Sequence, residues 1–299
     1  MSTPIYRGRF APSPTGPLHF GSLVAAAGSY LDARANDGEW LVRMEDVDGP
    51  RCRPEYDKAI MLALEAYGFM WNGTVMRQSD RPEAYRAALD SLKNKDLVYP
   101  CACTRKEISD SAIAKDGAHI YPGTCAAGLS DGRASRSWRM RVAGERITFT
   151  DLVQGVVSQD LEKEIGDFVL LRADGFFAYQ LAVVVDDAEQ GITRIVRGAD
   201  LLDSTPRQIC LQHHLGVAFT EYAHLPVAVN AAGEKLSKQT LAKPLDGKNP
   251  VADLMAVFGF LGMTSLKGND TSVDDLWNQA IRLWSLDKVP KVRTIPQGT

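Results

Sequence analysis

The chain has 299 residues, 45% of them hydrophobic and 24% charged. That is an ordinary globular balance, enough for one large α/β domain with an appendage or for two domains. A net charge of −3 excludes a global basic field, so a polyanionic partner would have to meet a local patch. No stretch has the length of a membrane span or the apolar core of a signal peptide, and five cysteines, an odd number, argue against a disulfide framework. The chain reads as cytoplasmic, with no membrane partner.

Ile5 to Phe10 and Trp40 to Met44 read as strands flanking a small-apolar helix, Leu23 to Leu31. This βαβ unit predicts a parallel sheet with a right-handed crossover. Helical spacing follows over Pro54 to Tyr67 and Pro82 to Leu97. The texture then changes. Residues 100–136 are rich in Cys, Gly, Ala, Ser and Asp, and read as an insertion held by something other than a hydrophobic core. Strand character returns at Trp138 to Val142, Ile147 to Asp151 and Phe168 to Arg172. Ala178 to Val185 is a continuous apolar run, a buried helix or a strand. Ile192 to Val196 is a strand, and Ser204 to Leu215 a helix opening on Thr205-Pro206. Leu225 to Val229 is a strand leading into a lysine loop. Asn249 to Leu261 and Ser272 to Trp284 are helical, with Asn and Ser as cap candidates. The last dozen residues carry no clear pattern. The expected organisation is a first half over 1–99, the insertion over 100–136, a second half over 137–245, and a short helical region over 246–299.

Between the first strand and the first helix lies Arg9-Phe-Ala-Pro-Ser-Pro-Thr-Gly-Pro-Leu-His-Phe-Gly-Ser22. A strand, a Pro/Gly turn and a helix start in that order build a phosphate site, because helix-start N–H groups and the dipole favour an anion. His19 adds a side-chain donor, and Gly21 lets a nucleotide approach the backbone closely. Far downstream lies Lys235-Leu-Ser-Lys-Gln239. Alone, the first element reads as a turn before a helix and the second as a solvated loop. Together, each beside a strand end, they form two poles for a triphosphate, with Lys238 the closer contact.

The two elements resemble the HIGH and KMSKS boxes of class I aminoacyl-tRNA synthetases, and neighbouring residues narrow this to the glutamyl group. Arg9 to Gly16 is similar to the glutamyl-type sequence; glutaminyl enzymes have a glutamate where this chain has Ser13. Val42-Arg-Met-Glu-Asp-Val-Asp48 resembles the family's second strand. Its Glu45 stands at the carboxyl end, where open α/β sheets bind ligands. Phe177 to Asp187 and Ile195 to Pro206 match two further segments. The resemblance implies a Rossmann-like α/β fold and an ATP-dependent ligase that activates glutamate as an adenylate, with Mg2+ accompanying ATP. It makes His19 and Lys238 catalytic, and His19, Gly21, Lys235 and Lys238 the ATP site. Arg9, Phe10, Ala11, Pro12, Ser13, Glu45, Tyr179 and Arg197 would form the glutamate site. Glu45 is suited to the α-ammonium, Tyr179 donates a hydroxyl, and Arg197 pairs with the side-chain carboxylate, with Arg9 a second candidate. Taken singly, Glu45 and Arg197 read as an ion pair at the sheet edge. One position departs from the HIGH box, though a small residue is common there in the glutamyl branch, and two others depart from the larger glutamyl enzymes. Ser22 replaces the second His of HIGH, Val183 stands where Asn is usual, and Leu201 where an aromatic is common. The last two predict weaker glutamate binding or a different requirement for tRNA.

Cys101-Ala-Cys103, followed by His119, Tyr121 and Cys125, fits a structural zinc whose binding supplies folding energy. The alternative is free thiols in a loop. By chemistry alone the fourth ligand is His119. The family's shorter members carry Cys-x-Cys…Tyr-x-x-x-Cys, and this resemblance makes the set Cys101, Cys103, Tyr121 and Cys125. Cys52 and Cys210 read as incidental or packed. Residues 240–299 are too few for an anticodon-binding domain of roughly 100 residues. The short members of the family are glutamyl-queuosine tRNA(Asp) synthetases. Resemblance to them implies tRNA-independent activation of glutamate, then transfer to a cyclopentene hydroxyl of queuosine at the wobble position of tRNA(Asp). The alternatives are a truncated enzyme charging tRNA(Glu) and a non-catalytic relative that only binds tRNA or nucleotide. Arg133, Arg136, Arg139 and Arg141 read equally as a basic patch or as the solvent face of a strand.

Overall fold

The computed structural model describes residues 5–109, 111, 113, 119–130, 132–230, 232–235, 244–266, 268 and 271–297. The strands β1 (Arg7–Phe10) and β2 (Glu39–Met44) run parallel on either side of the helix α1 (Phe20–Ala35), with Arg7 opposite Glu39 and Phe10 opposite Val42. Helix α1 starts where it does because His19 is extended and its Nδ1 accepts the Ser22 N–H at 3.3 Å. Leu23, Val24, Ala26, Ala27 and Leu31 are all buried, so the helix has no wet face and lies between two layers. Small residues make that possible. A Cβ on Gly28 would sit 2.3 Å from Leu225 Cδ1.

Helix α2 (Pro54–Ala66) leads to β3 (Met76–Arg77), which extends the parallel sheet beside β2. Helix α3 (Pro82–Asn94) and β4 (Val98–Cys101) precede the insertion and its single turn α4 (Arg105–Ile108). The chain returns through β5 (Ser137–Met140), a hairpin of β6 (Arg146–Asp151) and β7 (Gly155–Asp160), the turn α5 (Leu161–Glu164) and β8 (Val169–Leu171). Strands β4, β5 and β8 form an antiparallel sheet. The run from Ala178 is a helix, α6 (Tyr179–Glu189). Strands β9 (Arg194–Gly198) and β10 (Glu221–Leu225) are parallel and joined by α7 (Thr205–Leu215), which opens on Pro206 and ends at Gly216 with φ 71°. The Thr193 N–H donates to Arg7 O at 2.9 Å, setting this pair beside β1.

The strand expected over Leu225 to Val229 is broken at Pro226, which has no N–H to donate to a ladder. Beyond it β11 (Val227–Val229) pairs with β12 (Thr294–Pro296), a strand formed by the patternless last residues. Helices α8 (Pro250–Phe260) and α9 (Val273–Leu283) are no loose appendage. Leu254, Phe258 and Trp277 share one core with Trp40, Tyr30 and Phe69, and the Trp277 indole donates to Tyr67 O at 2.9 Å. Ser272 caps α9 by accepting from the Asp275 N–H. Asn249 makes no side-chain cap; Pro250 opens that helix instead. A second core lies between α3, α6 and α7, around Tyr85, Leu181 and Leu211.

The insertion has only a small apolar cluster of its own, Tyr99, Cys101, Tyr121 and Cys125. Arginines brace it. Arg139 is buried and lies over the Tyr121 ring at 3.8 Å. Arg141 lies over Tyr99 at 4.6 Å and donates to Ala126 O, and Arg133 donates to Ala102 O and Glu107. Of the four alternating arginines only Arg136 is exposed. They do not form a plain solvent face, because Arg133, Arg139 and Arg141 make their contacts within the insertion. No helix among the described residues is long and apolar enough to cross a membrane.

Candidate active site

A cavity of about 530 Å³ opens at the carboxyl ends of β1, β2, β9 and β10, the place where open parallel sheets bind ligands. Every described residue expected at the site lines it. Arg9 to Ser13 come from the end of β1, His19 and Gly21 from the start of α1, Glu45 from just past β2. Tyr179 opens α6, Arg197 lies in β9, and Lys235 follows β11. Lys238 lies outside the described residues. Leu201 also lines the cavity, whereas Val183 is fully buried in the core.

One end of the cavity is a buried lattice of charge. Alternation along β2 puts Arg43 and Glu45 on the same face, 3.3 Å apart. Arg43 also meets Asp187 at 2.8 Å and donates to Gln190 Oε1 at 2.7 Å. Asp187 in turn takes Arg9 with both oxygens, at 3.0 and 3.3 Å. Burial opposes ionisation of Asp187, but Arg43 and Arg9 outweigh it and hold the carboxyl below its ordinary value. Glu45 is the less compensated acid. Burial pushes its pKa up, against the opposing pull of Arg43 and Arg9. A cationic group arriving beside it would replace the lost hydration.

Arg197 differs from Arg9 in what holds it. Its Nε donates to His224 Nε2 at 3.0 Å and its Nη2 to Thr205 Oγ1 at 2.8 Å. Its Nη1 lies 3.4 Å from the Tyr179 hydroxyl. Neither acceptor carries a charge, so the guanidinium keeps its own toward the cavity. Arg9, by contrast, is neutralised by Asp187. Burial, then Glu45, pushes the Tyr179 phenol to about 12, so it stays a donor. Asp187, Arg43 and His224 were not expected from sequence. The i, i+2 spacing of Arg43 and Glu45 could have shown the first pair. His224 had no local signal, since its partners Arg197 and Asp151 are 27 and 73 residues away.

The other end is more open. With Nδ1 occupied by the Ser22 N–H, the His19 proton is assigned to Nε2, which makes the ring a donor at the head of α1. Lys235 is about half exposed, and its Nζ pairs with Asp200 Oδ2 at 2.5 Å. Helix start, imidazole and ammonium together suit a polyphosphate.

Away from the cavity, the Sγ atoms of Cys101, Cys103 and Cys125 lie within 4.8 Å of one another. The Tyr121 hydroxyl sits among them, 3.3 Å from Cys101 Sγ and 3.4 Å from Cys103 Sγ. The Cys103 to Cys125 separation of 3.6 Å is near the about 3.8 Å of a tetrahedron with metal–sulfur bonds of about 2.3 Å. His119 is exposed, its Nδ1 3.3 Å from Ser111 O, and it does not join the thiols. The donor set fits zinc with tyrosine in the fourth place. Glu145, Cys210 and His214 also converge, but Cys210 is fully buried, and burial pushes its thiol to about 12. It is a packed thiol beside a contact of 3.0 Å between His214 Nε2 and Glu145 Oε1.

Residues 6–269 match the model of the class I tRNA synthetase (E and Q) catalytic domain. The chain is 58% identical to the glutamyl-Q tRNA(Asp) synthetase of Dechloromonas aromatica, over 97% of both chains. It is 55% identical to that of Aromatoleum aromaticum, over 97% of this chain and 92% of the relative. Among solved structures it is similar to a glutamate-tRNA synthetase of Elizabethkingia anophelis, with a TM-score of 0.80 and 26% identity, over 98% of this chain and 68% of that one. A glutamate tRNA ligase of Elizabethkingia meningosepticum, in complex with its amino acid, superposes with a TM-score of 0.79 at 26% identity, over 96% of this chain and 66% of that one. With the cavity built as it is, the chain belongs to the glutamyl-Q tRNA(Asp) synthetase family of class I synthetases.

Proposed function

We propose that this enzyme activates glutamate with ATP, without tRNA, and passes the glutamyl group to queuosine in tRNA(Asp). The observation that carries the reading is one cavity with an uncompensated guanidinium at its buried end and phosphate donors at its open end. Arg197 and the Tyr179 hydroxyl receive the side-chain carboxylate, and Glu45 accepts from the α-ammonium. That orientation turns the α-carboxylate toward His19 and the head of α1. A carboxylate oxygen attacks the α-phosphorus, the bond to the bridging oxygen breaks, and pyrophosphate leaves. His19, Gly21, Lys235 and Lys238 hold the triphosphate and spread the developing charge. Mg2+ bound to ATP neutralises the leaving pyrophosphate. A cyclopentene hydroxyl of queuosine then attacks the activated carbonyl, an ester forms, and AMP leaves. The relatives' shared name supports that acceptor.

Cys101, Cys103, Tyr121 and Cys125 would hold a structural Zn2+, which would supply the folding energy that the insertion's small apolar cluster lacks. Residues 1–99 and 137–245 act as two catalytic halves, 100–136 as the zinc insertion, and 246–299 as the helical region. A cytoplasmic place suits an enzyme acting on tRNA. Glutamate-dependent ATP–pyrophosphate exchange tests the activation step. Exchange without added tRNA supports the reading, and no exchange with or without tRNA would leave a binding protein only.

A further inference from the structure

We infer that His224, backed by Asp151, is the positioning residue that aims Arg197 and sets preference for a carboxylate over an amide. The inference rests on the reading that Arg197 receives the substrate's side-chain carboxylate. Asp151 stands at the end of β6 and His224 in β10, and neither is itself a lining residue of the cavity. Both are buried. Asp151 Oδ2 lies 2.6 Å from His224 Nδ1. Its Oδ1 accepts the N–H groups of His224, Val153 and Gln154 at 2.8 to 3.1 Å. So many donors keep the carboxyl ionised, and its remaining partner must be an Nδ1–H. The imidazole proton is thereby fixed on Nδ1, which leaves Nε2 as a lone-pair acceptor. The Arg197 Nε–H meets that lone pair at 3.0 Å.

The chain of bonds has a definite electrostatic result. A carboxylate placed directly on Arg197 would neutralise it, as Asp187 does Arg9. An imidazole spacer orients the guanidinium and holds the anion one ring further away. Burial, with Arg197 adding to it, pushes His224 down to about 4 despite Asp151, so the ring is a neutral acceptor at neutral pH. Arg197 therefore meets its ligand in a fixed orientation with its charge intact. The same geometry gives the β6–β7 hairpin a purpose, because Asp151 is the residue with which β6 ends.

Pyrophosphate-exchange kinetics at neutral pH would compare His224→Ala, His224→Gln, His224→Asn and Arg197→Ala, with glutamate and glutamine as substrates. Glutamine places its carbonyl near the Nε2 position; asparagine places its own near Nδ1. The expected result for His224→Ala is a KM for glutamate raised about tenfold, the worth of one hydrogen bond to a charged group, with the KM for ATP unchanged. Discrimination against glutamine should fall by a similar factor. His224→Gln should recover most of the loss and His224→Asn little. Where the alanine variant fails to fold by circular dichroism, the Gln and Asn pair decides. Equal behaviour of Gln and Asn, or an unchanged glutamate KM in folded His224→Ala while Arg197→Ala raises it, would overturn the inference. Arg197→Ala without effect would instead overturn the pocket reading itself and take this inference with it.

Discussion

The two ends of the catalytic cavity are built on opposite principles. At the end proposed for the amino acid Arg9, Arg43, Glu45, Asp187 and Arg197 are buried, and each is held by partners from other elements. At the phosphate end a helix start, a capping histidine and a half-exposed lysine face a more open space. The difference suits the ligands proposed for the two ends. A small amino acid must be told from near-isosteres, which takes fixed charges in a dry site; leaving one partner of a buried pair alone is costly. A triphosphate brings its own charge and metal, so positioned donors at an accessible rim suffice.

Mutations at the two ends should therefore separate by kinetic parameter. The largest effect is expected for Arg197→Ala. Removing a buried, directed guanidinium costs about 3 kcal/mol, roughly a hundred-fold in kcat/KM for glutamate, with the KM for ATP unchanged, as exchange kinetics would read. Glu45→Gln should come next, at about thirty-fold in the same parameter, since it loses the anion but keeps the shape. Lys235→Ala should cost only about tenfold, and in kcat/KM for ATP, because the lysine is half exposed and screened. An equal loss for glutamate and ATP in all three variants would mean that the ends are not separable. A further effect, on stability and not on activity, is a pH dependence. Because the folded pKa of His224 is depressed to about 4 from an ordinary value near 6.5, its stabilisation is present above about 6.5 and is lost as pH falls toward 4. The wild type should lose thermal stability over that interval, and His224→Gln should show a flatter acid arm in melting curves taken across it.

A second contrast lies between the catalytic sheet and the insertion. The sheet is held by apolar burial; the insertion rests on three thiols, a phenol and bracing arginines. Purified protein should contain about one zinc per chain by elemental analysis. Cys103→Ser should lose the metal and expose residues 100–136 to proteolysis while the main melting transition persists. Retention of metal and protease resistance in that variant would argue that the cluster is a packed set of free thiols.

The lining of the cavity was largely legible in the chain because those residues sit at strand ends and helix starts. Arg9, His19, Glu45, Tyr179 and Arg197 lie beside turns that announce themselves through Pro, Gly or a change of period. What was not legible depended on distance or weak pattern. β12 carries only Thr294, Ile295 and Pro296, yet it pairs in register with β11. Strand β7, Gly155–Asp160, leaves Val156 exposed, so no clean alternation marked it. The arginines around Arg139 alternate as a solvent face would, and only the structure turns them onto Tyr99 and Tyr121. His224 gave no sign at all, because a buried histidine in a strand reads as a core residue until its partners are known.

Transfer of labelled glutamate is the most direct test of the whole account. It would be measured with ATP on tRNA(Asp) carrying queuosine, on the same tRNA without it, and on tRNA(Glu). The account predicts label on the queuosine-bearing tRNA(Asp) alone. Label on tRNA(Glu) but not on tRNA(Asp) would contradict it and make this a protein-synthesis enzyme.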